Sequence, residues 1–318
     1  MADPLARVGL ELELLAPRGV DRPAVAHAIA RKVRGHVEYG FKYTSEGRLP
    51  DGRPLCRLSD AVRVVDARGV LVTVVDDPTI RARLSVTPRQ RTLSVTDDLR
   101  IALLAERICW SRRRDARLQP LAALFGGPIE GGTLADAFGH PLVVLLEEPL
   151  SWGRVCELVT RPLATRAERR QVAELLLGVA RELRLAVPAE AGLHAHYDAG
   201  PWRTTRTLRR LILESTEHRA AWHERLRPNP RCLKLGPFPD DVVRVAREGA
   251  RVSFPTFAAA VRLAGARKEG DVNVLGVVEP RPRQPTLELR CLPMSLRCAE
   301  VLAALETAEA LLSPCLTR

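Results

Sequence analysis

Three runs in this 318-residue chain set ionisable side chains two apart within apolar stretches. Glu11 and Glu13 lie in Gly9-Leu10-Glu11-Leu12-Glu13-Leu14, and His194 and His196 in Gly192-Leu193-His194-Ala195-His196-Tyr197. Glu288 and Arg290 lie in Thr286-Leu287-Glu288-Leu289-Arg290, and a single acid, Glu157, leads Glu157-Leu158-Val159-Thr160. Successive side chains of a strand point to opposite faces, so each run turns its ionisable groups one way and its apolar groups the other. Taken singly, Glu-x-Glu reads as a solvated face, His-x-His as a hydrogen-bonded structural pair, and Glu-x-Arg as a cross-strand ion pair. Brought together on one sheet, the four carboxylates would repel, and desolvating them uncompensated costs several kcal/mol each. Divalent cations relieve that cost. Oxygen ligands with a histidine suit Mg²⁺ or Mn²⁺, and Mg²⁺ commonly arrives with phosphate oxygens. The residues therefore point to a metal–nucleotide site lining a sheet.

Missing signatures narrow how phosphates could be held. No G-x-G occurs and no lysine follows a glycine, so the dinucleotide fingerprint and the phosphate-cradling P-loop are excluded. A G-x-S-x-G elbow and an H-E-x-x-H zinc motif are also absent. Metals and arginines are left to hold the phosphates. The seven cysteines are scattered and form no C-x-x-C, which suits reduced thiols better than a disulfide frame or zinc knuckle.

The elements that must position these groups follow from periodicity and turn chemistry. Strands are expected at Val8–Leu15, Ala61–Val65, Val70–Val75, Leu142–Glu147, Val155–Thr160, Gly192–Asp198, Asp271–Val278 and Thr286–Leu292. Asp66-Ala67-Arg68-Gly69 reads as a hairpin turn. Helices are expected over Asp21–Gly35 with Asp21 capping, Asp98–Leu118, Thr204–Leu226, Asp240–Glu248 closed by Gly249, and Ser295–Leu312. Thr165-x-x-Glu168 is a capping box, opening a helix that buries Val172, Leu175, Leu176, Val179 and Leu183. The irregular order of strands and helices predicts an α+β fold: one large, mainly antiparallel or mixed sheet with helices packed on one side. No repeat or linker divides the chain, so residues 1–318 are expected to form a single catalytic domain.

In chain order these motifs resemble the amidoligase family of the carboxylate–amine ligase superfamily, which shares the catalytic fold of glutamine synthetase and glutamate–cysteine ligase. The resemblance is carried by Gly9-x-Glu11-x-Glu13, Val75-Asp76-Asp77-Pro78-Thr79, Glu157-Leu158-Val159-Thr160-Arg161-Pro162, Gly192-Leu193-His194-Ala195-His196, Asn229-Pro230-Arg231-Cys232, Asp271-Val272-Asn273-Val274 and Thr286-Leu287-Glu288-Leu289-Arg290. Asp77-Pro78-Thr79 departs from the family's Asp-Gly-Ser. Residues 81–152 match no motif and read as an insertion that shapes the substrate site.

The resemblance implies a glutamine synthetase-like fold and an ATP-dependent ligase. One substrate carboxylate is phosphorylated, and an amine then displaces phosphate to give an amide or isopeptide bond. It implies Mg²⁺ or Mn²⁺, with Glu13 and Glu157 on one ion and Glu11, His194 and Glu288 on the ion that bridges the β- and γ-phosphates. His196 would hydrogen-bond a phosphate, Arg290 would stabilise the phosphoryl group in transfer, and Arg231 would contact a phosphate or carboxylate. Asp77 would take the proton of the attacking ammonium. The partners implied are a nucleotide plus carboxylate- and amine-bearing small molecules or peptides.

Two other classes compete. His194-x-His196 with carboxylates could serve a metal-dependent hydrolase needing no ATP. A net charge of +11, with Arg112, Arg113, Arg114 and Arg117 at the end of an expected helix, could serve nucleic-acid binding. Only four of the 49 basic residues are lysines, an arginine preference that accompanies GC-rich coding, and aromatic residues make up only 4% of the chain. Nucleic acid is therefore the weaker expectation, since single-strand binding relies on aromatic stacking platforms. Acidic residues replace the apolar core of a leader and no unbroken apolar run approaches the ~18 residues of a membrane helix, so a cytoplasmic protein without a membrane span is expected.

Overall fold

The computed structural model describes residues 5–48, 54–76, 89–96, 99–130, 133–139, 141–150, 155–232, 234–280, 282 and 285–316. The strands in chain order are β1 (Val8–Leu15), β2 (His36–Arg48), β3 (Pro54–Val65), β4 (Leu71–Asp76), β5 (Arg89–Thr96), β6 (Ile129–Glu130), β7 (Thr133–Ala135), β8 (Pro141–Leu150), β9 (Val155–Thr160), β10 (Gly192–Asp198), β11 (Val272–Asn273) and β12 (Thr286–Pro293). The helices are α1 (Arg22–Lys32), α2 (Leu99–Ile108), α3 (Gln119–Phe125), α4 (Arg166–Glu182), α5 (Thr205–Glu217), α6 (Arg219–Leu226), α7 (Asp240–Glu248), α8 (Phe254–Leu263), α9 (Leu275–Val278) and α10 (Cys298–Leu316). The class is mixed α+β, as expected. The chain divides into two compact units: Met1–Leu14, Thr160–Arg181 and Ala186–Arg318 form the first, Leu15–Val159 and Glu182–Leu185 the second.

The first unit is built on the strand order β11-β12-β10-β1, with antiparallel neighbours. Strict alternation makes β1 two-faced: Leu10, Leu12 and Leu14 are fully buried, as are Leu193, Ala195 and Tyr197 of β10 and Leu287 and Leu289 of β12. Burying each such leucine contributes about 1.5–3 kcal/mol, which fixes the strand's register against a one-residue slip. That register turns the other set of side chains, Glu11, Glu13, His194, His196 and Glu288, onto a common face. Helices α6, α9 and α10 pack on β12.

Helix α4 opens as its capping residues predict, with Thr165 Oγ1 accepting the Glu168 N–H at 3.1 Å. The Glu168 carboxylate reaches back one residue further than expected, taking the Ala164 N–H at 2.6 Å, and also pairs with Arg161. The buried stripe of α4 is centred on Ala173, Leu176, Leu177, Val179 and Ala180, so Val172, Leu175 and Leu183 lie at its edge. Arg169, also buried, pairs with Glu309 of α10 and donates to the carbonyls of Leu5 and Ala6 at 2.9 and 2.8 Å. This ties α4 and α10 to the approach to β1.

The second unit follows the order β9-β4-β3-β5-β8-β7-β6, with β2 paired to β3. The expected hairpin joins β3 to β4, and Asp66 accepts the Arg68 and Val70 N–H groups in its turn. Of the strands from the segment read as an insertion, β5 pairs with β3 on one side and with β8 on the other. The described part of that segment also packs inward. Phe41 of β2 shares a buried cluster with Ile101, Ala102, Ala105, Leu121, Leu134 and Val143. A Cβ on Gly40 would come within 2.5 Å of the Trp110 ring, so only glycine lets that indole lie on β2.

Four expected elements differ. The helix expected over Asp98–Leu118 ends at Ile108, and of the basic residues after it only Arg114 lies in a short 3₁₀ turn, Arg114–Ala116, with Arg113 and Arg117 flanking it. Arg113 pairs with Asp115 and Arg117 is buried over the Phe41 ring, so the helical basic stripe does not form. The helix expected over Thr204–Leu226 breaks at His218 into α5 and α6. Asp271–Val278 is strand only at Val272–Asn273 before turning into α9. The last helix starts at Cys298, not Ser295, whose hydroxyl instead binds Glu300 at 2.6 Å. Cys109, Cys156, Cys232, Cys291, Cys298 and Cys315 form no disulfide, and among the described residues no helix is long and apolar enough to cross a membrane.

Candidate active site

Register assembles the cluster in the first unit. Glu11 stands opposite His194 and Gly9 opposite His196 on the β1–β10 pair. His196 stands opposite Glu288 on the β10–β12 pair, and Asn273 opposite Glu288 on the β11–β12 pair. Between the partners Leu193–Leu292 and Ala195–Leu289, β12 carries one extra residue, so Arg290 and Cys291 share the place opposite His194. Such a bulge bends the strand and re-aims a side chain. Here the Arg290 N–H donates to the Asp271 carbonyl at 2.9 Å, and the guanidinium pairs with Glu288 Oε1.

The side chains then meet. His194 Nδ1 lies 3.2 Å from Glu11 Oε2 and 3.4 Å from Glu288 Oε1, with its Nε2 3.8 Å from Glu13 Oε1. His196 Nε2 is 3.1 Å from Glu11 Oε1 and 3.9 Å from Glu288 Oε1, while its Nδ1 is 3.2 Å from the Thr286 hydroxyl. Glu13 Oε2 accepts the Gly192 N–H at 2.6 Å. Glu13, His194, Glu288 and Arg290 are each at most 7% exposed. Burial pushes the Glu288 carboxyl up, but the charges of His196, Arg290 and His194 outweigh it and hold the group below the usual carboxylate range. Burial also works against the Arg290 charge, yet Glu288, Glu11 and Glu13 keep the guanidinium above its ordinary value.

A cation takes imidazole in its neutral form, and in that metal-bound state the carboxylates of Glu11, Glu13 and Glu288 exceed the Arg290 guanidinium by two negative charges, the charge of a single divalent cation. One ligand atom each from Glu11, His196 and Glu288 lies within 4.8 Å of the other two. Two carboxylate oxygens and an imidazole nitrogen at that spacing fit Mg²⁺ or Mn²⁺.

Three further residues were expected at the site. Glu157 is buried on β9 of the second unit. Asp77 lies outside the described residues. Its neighbour Asp76 is buried, pairs with Lys42 at 2.7 Å, and leaves Oδ1 without a hydrogen bond among the described residues. Arg231 is exposed on a strap, 229–236, whose two ends are pinned. At one end the Asn229 amide donates to the Ala191 carbonyl at 3.0 Å, before β10. At the other, the Asp271 carboxylate accepts the Gly236 N–H at 3.0 Å, and the Gly236 carbonyl accepts the Asp271 N–H at 2.8 Å. The strap carries the Cys232 thiol close to Glu13 and Arg290; burial raises it, and Glu13 adds to that.

Sequence reading assigned no role to Asp271, Asn273, Thr286 or Cys232. Asp271 and Asn273 repeat the two-residue spacing of the other pairs, and that was the signal available. Asp271 also accepts Arg219 Nε and His223 Nε2, both at 2.7 Å, and so ties α6 to the same edge.

A family model described as "Putative amidoligase enzyme" matches residues 4–251. The chain belongs to this amidoligase family. Membership makes it a ligase-type enzyme and places Glu11, Glu13, Asp77, Glu157, His194, His196 and Arg231 inside the matched span. The match stops before Asn273, Glu288 and Arg290, which join the site of this amidoligase through strand register. Comparison with curated proteins and with solved structures finds no match.

Proposed function

We propose that this amidoligase is an ATP-dependent carboxylate–amine ligase working through an acyl phosphate. The observation that supports it most is the meeting of Glu11, His194, His196, Glu288 and Arg290 on one face of three adjacent strands. On this reading the fold is the glutamine synthetase-like one and the protein works in the cytoplasm.

A carboxylate at neutral pH is a poor electrophile, so amide formation needs it activated first. A divalent cation held by Glu11, Glu288 and a histidine would neutralise phosphate charge and orient the γ-phosphoryl group. His194 is the histidine favoured by the resemblance, with Nδ1 3.2 and 3.4 Å from Glu11 and Glu288, and His196 Nε2, at 3.1 and 3.9 Å from the same carboxylates, is the alternative. In this scheme Glu13 and Glu157 serve a second cation. The substrate carboxylate oxygen attacks the γ-phosphorus and ADP leaves. The pairing with Glu288 presets the Arg290 guanidinium to stabilise charge on the phosphoryl group in transfer. An amine then attacks the acyl carbon, its proton passing to Asp77, and phosphate departs. Arg231 contacts a phosphate or a substrate carboxylate, and the substrates are an amino acid or peptide pair.

Hydroxylamine tests this without knowledge of the amine, because it intercepts an acyl phosphate as a stable hydroxamate. A panel of amino acids and acidic peptides, incubated with the enzyme, Mg-ATP and hydroxylamine, should yield hydroxamate and ADP in equal amounts for at least one member. Cleavage of panel peptides without ATP, and no hydroxamate with it, would instead identify a metal-dependent hydrolase.

A further inference from the structure

Asn273 has a chemical reason to stand where it does. Its side-chain Oδ1 accepts the Leu275 N–H at 3.0 Å, closing the turn into α9. Its Nδ2 donates to Glu288 Oε2 at 2.7 Å. An amide has one accepting and one donating end, so the Leu275 N–H dictates which end faces Glu288. A flipped amide would set oxygen against carboxylate oxygen and nitrogen against N–H.

The two oxygens of Glu288 are thereby given different tasks. Oε2 is taken by Asn273, while Oε1 faces Arg290, His194 and His196. Backbone geometry holds the donor in place: Asn273 is the Cα partner of Glu288, and the preceding Asp271 is anchored by Gly236, Arg219 and His223. We propose that Asn273 is a positioning residue that orients the Glu288 carboxylate, leaving Oε1 as the oxygen presented to a divalent cation. This rests on the reading of the acidic face as a metal site. Outer groups of this kind commonly change metal affinity about 10–100-fold when removed.

Binding of Mn²⁺ alone to the full chain, followed by the electron paramagnetic resonance of free Mn²⁺, provides the test. Asn273→Ala should weaken Mn²⁺ binding about tenfold or more. Asn273→Ser should do the same, because its hydroxyl can still accept the Leu275 N–H but is too short to reach Glu288. Thermal unfolding of the serine variant separates this loss from a loosened α9. A double-mutant cycle shows whether the effect runs through Glu288. Glu288→Asp keeps the charge but withdraws the carboxylate from the amide, so adding Asn273→Ser to it should change affinity less than twofold. Wild-type affinity in both Asn273 variants, or an equal loss in both backgrounds, overturns the proposal while leaving the metal site standing. No Mn²⁺ binding by the wild type overturns the metal-site reading and this role together.

Discussion

Arg290 shows how much a single side chain depends on its strand. Its guanidinium is buried, paired to Glu288, and held charged by Glu11 and Glu13 as well. A lysine there would keep the charge but lose the planar fork that can hold a carboxylate and a phosphoryl oxygen together. Arg290→Lys should therefore slow hydroxamate formation at least about tenfold while ADP affinity stays within about threefold. A rate within twofold of wild type would remove Arg290 from phosphoryl transfer. The pairing of Glu11 with Glu13, and of His194 with His196, was legible because a strand's period of two admits one arrangement. The bulge at Arg290–Cys291 was not, because the extra residue is defined by the partner strand and by the Asp271 carbonyl.

Elements were read well where local chemistry decides and poorly where tertiary contacts do. Asp21 caps α1 at 2.9 Å as expected. The continuous apolar periodicity of Thr204–Leu226 hid the break at His218, since α5 and α6 each bury their own stripe. Val272–Val278 is apolar enough for strand or helix, and the Asn273 turn decides between them. The α4 cap gives a measurable consequence. Burial opposes the Glu168 charge, but the Ala164 N–H and Arg161 more than compensate and hold the carboxyl below its usual range. A carboxyl lowered by folding stabilises the protein above its unfolded pKa, and that stabilisation fades as pH falls through the lowered value. Glu168→Gln should cost about 1 kcal/mol in urea unfolding at neutral pH, and the difference should shrink by about pH 3. An equal difference at both pH values would show that the Glu168 charge plays no part.

At the scale of the whole molecule, the two units are interleaved in sequence: the chain leaves the first after Leu14, returns at Thr160, and makes a brief second excursion at Glu182–Leu185. Nothing in composition marks those crossings, which is why a single undivided domain was the natural expectation. The surplus of positive charge is likewise a property of the whole chain. In the segment expected to concentrate it, Arg113 is spent on Asp115 and Arg117 on Phe41. The acidic face of the first unit is the opposite case, a local surplus of negative charge that a cation and its nucleotide would complete. Titration calorimetry of Mg-ADP into the full chain and into Glu288→Ala tests that most directly. The account predicts saturable, magnesium-dependent heat from the wild type and none from the variant, with matching circular dichroism. No heat from the wild type, or undiminished binding by the variant, would contradict it.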